Sequence, residues 1–296
     1  MSLQHRIEYR IASACMRLFR GLGPVRASNL AGALGRSIGP LIPVSKLADR
    51  NLRAAMPELD AVARKRIIRA AWDNLARNIA ELPHLSRFHE AAGAPGYEIT
   101  GAEHLRAATG RGGPVIILTA HLGNWEIMPL AAQRLGIPTG FFYRAASNPL
   151  VDRMILELRA EAIGEGIRMF PKGAAGARGA YAHLAGGGVL AILADQKLND
   201  GLEVPFFGMS AMTAPTLAIL ARKFGCPVLP VHVERLGAAR LRVVCEPPLL
   251  MPRTGDRQGD IQAMTALMNR VIEGWIRARP GEWLWLHRRW PKTVVK

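Results

Sequence analysis

A histidine and a glutamate stand five positions apart in the segment Val115-Ile116-Ile117-Leu118-Thr119-Ala120-His121-Leu122-Gly123-Asn124-Trp125-Glu126. Imidazole beside carboxylate is the pairing that takes a proton from a hydroxyl. In a continuous helix five residues turn through about 140°, which would splay the two groups apart. The apolar, β-branched run before His121 reads instead as a buried strand, and Asn124 as the N-cap of a helix over 125–135. His121 then lies in the turn and Glu126 in the first helical turn, together at the C-terminal edge of a sheet, where α/β folds place their chemistry. Spacing alone also allows a plainer reading, in which His121 is a polar turn residue and Glu126 serves the helix dipole.

The elements that must position this pair alternate along the chain. Strands are read at 115–119, 139–143, 189–194, 228–232 and 241–245, and helices near 125–135, 149–163, 174–185 and 213–225. A last helix, over about 259–278, precedes a Trp-rich tail. This alternation predicts an α/β fold, with a mostly parallel central sheet flanked by helices on both faces. Residues 45–92 read as helical, with Val62, Ile67, Ile68, Ala71, Leu75 and Ile79 on one side of a helix running from Asp60 to Ala80. Ahead of them, Ile7, Ile11, Ala14, Cys15, Leu18 and Leu22 recur at helical steps, with Arg6, Arg10, Arg17 and Arg20 between them. That is a basic amphipathic helix, suited to a membrane interface or to packing on the domain. Residues 28–44, small and apolar with several Gly and Pro, allow a second shallow membrane-facing hairpin or ordinary packing. The division expected is a membrane-interface segment over 1–44 and an α/β domain over 45–296, with the sheet core from about 97.

The 296 residues are 49 % hydrophobic and 21 % charged, which is a globular composition. Lys and Arg number 39 against 23 Asp and Glu, a net charge of +16, so an anionic partner is expected. Zinc-finger spacing, an RNA-recognition signature and basic-zipper heptads are absent, and aromatics are only 6 %, so nucleic acid is not read as that partner. Cys15, Cys226 and Cys245 stand far apart without metal spacing, which suits a reducing compartment. No metal site is read, since neither H-E-x-x-H nor a Cys/His cluster occurs. No run reaches the roughly twenty apolar residues that a spanning helix needs.

Other segments line up behind the first. Phe142-Tyr143-Arg144 is followed by Asn148-Pro149 and a helix ending in Leu158-Arg159, then by Phe170-Pro171-Lys172-Gly173. Ala194-Asp195-Gln196 follows a buried strand, and Val204-Pro205-Phe206-Phe207-Gly208 comes after it. The chain closes on Trp283-Leu284-Trp285-Leu286-His287-Arg288-Arg289-Trp290. From about residue 5 to 291 this series resembles the bacterial lipid A biosynthesis acyltransferases, the late (lauroyl or myristoyl) branch of the glycerolipid and lysophospholipid acyltransferase superfamily. Two departures stand out. Lys197 directly follows Asp195-Gln196, where many members soon carry an acidic residue, and an amphipathic helix stands where many have a longer hydrophobic anchor.

The resemblance implies transfer of a fatty acyl group from the thioester of acyl carrier protein to a hydroxyl on a phosphorylated glycolipid acceptor, with no cofactor beyond that co-substrate. It implies His121 as general base and Glu126 as the group that fixes its tautomer. Backbone N–H groups around Leu122 to Asn124 would stabilise the oxyanion. Arg159, Asp195, Arg144 and Gln196 would bind substrate, and Phe206 and Phe207 would line the acyl channel. Trp283, Trp285 and Trp290 beside Arg288 and Arg289 suit a membrane interface, or else a core-packed terminal strand. The location implied is the cytoplasmic face of a bacterial inner membrane, held monotopically or peripherally on its anionic surface. Another lipid acceptor (a lysophospholipid, an ornithine lipid or a glycolipid) would use the same chemistry.

Overall fold

The structure is a computed structural model that describes residues 2–143, 145–164 and 167–291. Four helices come first: α1 (Leu3–Leu22), α2 (Pro24–Ile38), α3 (Ser45–Ala55) and α4 (Ala61–Glu81). Each of the caps on α1 and α4 is a short polar side chain, as helix starts require: Ser2 accepts from His5 N–H, and Asp60 from Ala63 N–H. The strands are β1 (His89–Glu90), β2 (Gly96–Thr100), β3 (Val115–Thr119), β4 (Thr139–Tyr143), β5 (Arg168–Pro171), β6 (Val189–Leu193), β7 (Lys197–Phe206), β8 (Met209–Thr213), β9 (Val228–Gly237) and β10 (Arg240–Cys245). Among them run α5 (Ala102–Thr109), α6 (Ile127–Arg134), α7 (Pro149–Ile163), α8 (Ala174–Ala185) and α9 (Thr216–Phe224), and α10 (Arg257–Ala278) follows.

One eight-stranded sheet has the order β1-β2-β10-β9-β3-β6-β4-β5, and β7 with β8 makes a separate antiparallel hairpin. Every neighbouring pair in the large sheet is parallel except β9 with β10. The fold is therefore α/β, with a mostly parallel sheet flanked by helices. Every residue of β3 is buried, because its alternate side chains enter two different cores. Ile116 and Leu118 pack with residues of α8, α9 and α10, whereas Val115 and Ile117 pack with α5, α6 and α7.

The strands not foreseen are short, polar or paired at a distance. β7 reads Lys-Leu-Asn-Asp-Gly-Leu-Glu-Val-Pro-Phe, has no clean alternation, and breaks register between Lys197 and Leu202. β5 is a four-residue edge strand ending in proline. The face of α4 also differs from expectation. Val62 and Ile79 are exposed, and the buried face carries Ile68, Ala71, Asn74, Asn78, Ala80 and Glu81.

The stretch 28–44 packs on the domain through α2, which lies along α4 on a face made of Ala27, Ser28, Ala31 and Gly32. The approach is close enough that a Cβ on Gly35 would stand 2.4 Å from the Trp72 carbonyl oxygen. The opposite side of α2 leaves Leu30, Leu34 and Ile38 exposed, and Leu41 follows them. On α1, Leu3, Ile7, Ile11 and Leu18 are exposed, and Met16 faces inward. Among the described residues no helix is long and apolar enough to cross a membrane.

Candidate active site

The central strands bring two side chains together by register. β3 and β6 are parallel neighbours with Thr119 opposite Leu193, and Ala194 N–H extends the ladder to the Thr119 carbonyl. Two residues beyond each of those partners lie His121 and Asp195. The Asp195 carboxylate accepts from His121 twice, from the backbone N–H at Oδ2 (3.1 Å) and from Nδ1 at Oδ1 (2.8 Å). The Trp283 indole N–H donates to Oδ2 as well, at 2.8 Å. Asp195 is fully buried, and the His121 side chain is 19 % exposed.

Burial works against the His121 imidazolium, but the charge and hydrogen bond of Asp195, with Glu126 further off, outweigh it and raise the imidazole above its ordinary value. Burial likewise works against the Asp195 carboxylate, and His121, His287 and the Trp283 indole hold it far below the usual carboxylate range. With Nδ1 tied to Asp195, the ring nitrogen left for a substrate is Nε2. Gln196 Nε2 stands 3.5 Å from it, at the outer limit of a hydrogen bond.

The expected pairing of His121 with Glu126 is not formed. Glu126 instead makes a bidentate ion pair with Arg159 on α7, at 2.7 and 2.8 Å. The cause is local. Helix α6 begins only at Ile127, with Asn124 Oδ1 accepting from Glu126 N–H, so the Glu126 side chain leaves towards α7 while the His121 ring faces β6. Trp125 stands between the two, its indole donating to Glu126 Oε1 at 3.2 Å and its ring edge-on to His121 at 5.0 Å. Burial alone would lower the Arg159 pKa; Glu126 reverses that and raises it.

The backbone donors named for the oxyanion are largely engaged. Leu122 N–H donates to Ala120 O (2.8 Å) and Gly123 N–H to Glu282 O (3.2 Å). Phe206 and Phe207 are buried in an aromatic cluster with Trp283, Trp285 and Trp290, so their visible role is packing rather than lining a channel. Phe207 occupies the β7–β8 turn at φ 53°, and its N–H is held by Glu273. Arg144 lies outside the described residues.

The tail completes the site from the far end of the chain. Leu122 and Trp283 form an antiparallel bridge, and Leu284 N–H donates to the His121 carbonyl at 3.2 Å. Trp283, Trp285, Trp290 and Arg289 are buried, which corrects the membrane-interface reading of the tail tryptophans. Arg289 donates to Thr213 Oγ1, Met212 O and Asn269 Oδ1, and burial pushes its pKa down to about 10. Sequence reasoning missed the indole bond from Trp283 to Asp195. The only signal for it was an aromatic able to donate, in a tail that had to pack somewhere.

Comparison with known proteins gives this geometry its context. Residues 2–292 match the family described as bacterial lipid A biosynthesis acyltransferase. The chain is 24 % identical over 256 residues to the lipid A biosynthesis lauroyltransferase of Escherichia coli (strain K12), covering 83 % of this chain and 78 % of that protein. It is also 29 % identical over 199 residues to the phosphatidylinositol mannoside acyltransferase of Mycobacterium tuberculosis (strain ATCC 25618 / H37Rv), covering 65 % of this chain and 59 % of that one.

Proposed function

The chain belongs to the bacterial lipid A biosynthesis acyltransferase family and is an acyltransferase, and on that premise we propose that it moves a fatty acyl chain from acyl carrier protein to a hydroxyl of a lipid A precursor. The observation that carries the chemistry is the 2.8 Å contact between His121 Nδ1 and Asp195. It fixes the tautomer in which Nε2 is a base. As the acceptor oxygen attacks the thioester carbonyl, Nε2 takes the hydroxyl proton. Collapse of the tetrahedral intermediate breaks the C–S bond, and the departing sulfur receives that proton, leaving an ester and a free thiol. Asp195 stays ionised throughout and stabilises the imidazolium. Glu126 and Arg159 neutralise each other, and their part in this reading is to hold the turn against α7.

In the same reading residues 1–44 lie in the interface of the inner membrane at its cytoplasmic face, and 45–296 form the catalytic domain. The exposed Leu3, Ile7, Ile11 and Leu18 of α1, with Leu30, Leu34 and Ile38 of α2, support it, since arginines flank both stripes. The +16 charge suits an acidic carrier protein, a phosphorylated acceptor and an anionic leaflet.

A second reading keeps the chemistry and changes the acceptor to another glycolipid, and the likeness to the mycobacterial phosphatidylinositol mannoside enzyme favours it. Mass spectrometry separates the two. Purified protein is given acyl carrier protein thioester, or acyl-coenzyme A, with a tetra-acylated phosphorylated disaccharide and a mannosylated phosphoinositide in competition. Acyl gain on the disaccharide is the expected result. Gain on the phosphoinositide alone selects the second reading, and no gain on either sinks both.

A further inference from the structure

Beneath the His121 turn lies a buried polar cluster that no step of the proposed chemistry uses. Its centre is Glu81, fully buried on α4. Glu81 Oε1 accepts from Ser28 Oγ (2.6 Å), Arg235 Nη1 (2.6 Å) and Ala239 N–H (3.1 Å). Oε2 accepts from Asn124 Nδ2 (2.7 Å) and Arg235 Nη2 (3.0 Å). Arg235, on β9, also donates through Nε to Asn74 Oδ1 (2.7 Å), through Nη2 to Asn78 Oδ1 (2.6 Å) and through Nη1 to Gly237 O (3.3 Å), which engages every N–H of its guanidinium.

An amide whose oxygen is held this way must present its NH2 group in the other direction. Both amides do, and they meet on one acceptor: Asn74 Nδ2 and Asn78 Nδ2 donate to the carbonyl of Gly123 at 2.9 and 2.7 Å. Gly123 is two residues from His121 and sits at φ 58°, where a Cβ would stand 2.3 Å from the Val233 carbonyl oxygen. Asn124, the next residue, is tied to Glu81 directly. The cluster therefore grips consecutive residues of the turn from the side opposite Asp195. A buried ion pair adds little stability over apolar side chains of the same shape, so stability alone does not account for so large a polar assembly here. What it does provide, once every member is satisfied, is one fixed geometry.

We propose that Glu81 and Arg235, acting through Asn74, Asn78 and Asn124, are positioning residues for acyl transfer: they lock the turn so that the ring and the N–H of His121 both stay on Asp195. The proposal rests on His121 as the reacting base. Glu81→Ala or Arg235→Ala would strand a buried charge and unfold the region, so the informative changes lie at the output, in Asn74→Ala, Asn78→Ala and the double variant. Val62→Ala, on the exposed side of the same helix, is the comparison.

Three measurements are made on each variant: the thermal midpoint, steady-state kinetics over a range of substrate concentrations for kcat and KM, and the titration of His121 by NMR of 15N-histidine-labelled protein. A loosened turn predicts a folded double variant whose kcat falls about 100-fold with KM within about twofold, since misplacing a reacting group by an ångström costs that much. It also predicts that the His121 midpoint moves down as contact with Asp195 weakens. The other ionisable neighbours of the ring, Glu126 and His287, are untouched by these changes. A folded double variant with an unchanged His121 midpoint, or with unchanged kcat, overturns the proposal. So does a fall in kcat that only follows loss of folded protein. If the double variant does not fold, the single variants are read by the same criteria. The titration needs neither acyl donor nor acceptor, so a wild-type protein inactive on lipid A precursors would sink the functional reading and leave this test standing.

Discussion

With Nδ1 of His121 held by Asp195, loss of either group would deprive the proposed mechanism of its base, but in different ways. His121→Ala should lower kcat by about 10²–10⁴-fold, the usual worth of general-base catalysis. Asp195→Asn should cost a similar factor with the fold retained, because an amide can hold the wrong tautomer. The pH profile follows from the direction of the shift. His121 must be neutral to act, and its folded pKa is raised, so the acid limb of kcat/KM should lie above the ordinary imidazole value of about 6.5. In Asp195→Asn that limb should move to lower pH; a limb that stays in place would remove Asp195 from the role. At this scale the placement of His121 was legible, since a strand ending in a small-residue turn marks it. The family resemblance placed Asp195 with substrate binding and Glu126 as the group fixing the tautomer, whereas the imidazole bonds to Asp195. The reason is that the partner of His121 is set by which strand lies beside β3, a pairing across 74 residues that local spacing does not encode.

Helices and strands with their own punctuation were legible, and those defined by a distant partner were not. α7 runs over 149–163 as read, because Asn148 caps it and Pro149 opens it. The β7–β8 hairpin was not legible, nor was the polar face of α4, where Asn74, Asn78 and Glu81 sit at helical steps of four and three among apolar residues with the same periodicity. The ion pair between the β3–α6 turn and α7 yields a second test. Glu126→Gln leaves Arg159 with half a partner in a mostly buried place, and should cost about 1–3 kcal/mol, seen as a lower thermal midpoint. Its acid limb should move less than that of Asp195→Asn, since Glu126 acts on His121 only at a distance. The reverse order of effects would restore Glu126 as the partner of the imidazole. The α2–α4 seam gives a third. Gly35→Leu drives a side chain into the Trp72 carbonyl and should destabilise by about 1–3 kcal/mol in a denaturant titration; an unchanged midpoint would show that the seam is not tightly packed.

For the molecule as a whole, the proposed reading sets the basic charge and exposed apolar stripes against an anionic membrane surface. Ile7→Glu with Ile11→Glu changes two exposed positions, so the thermal midpoint should hold while binding to anionic vesicles drops several-fold. Wild-type binding to those vesicles should also weaken as salt rises from 0.05 to about 0.5 M, as screening shortens the reach of the arginines. Undiminished sedimentation of the double variant with vesicles would place the contact elsewhere. The site itself draws on Ser28, on α4, on the turn at His121, on Asp195 and on Trp283 and Leu284. That span has a consequence for synthesis. A nascent chain that has reached His121 and Asp195 still lacks the indole that donates to the aspartate and the backbone bridge that clasps the histidine turn. A message cut short before residue 283 therefore yields a polypeptide that carries His121 and Asp195 without the tail contacts that hold them.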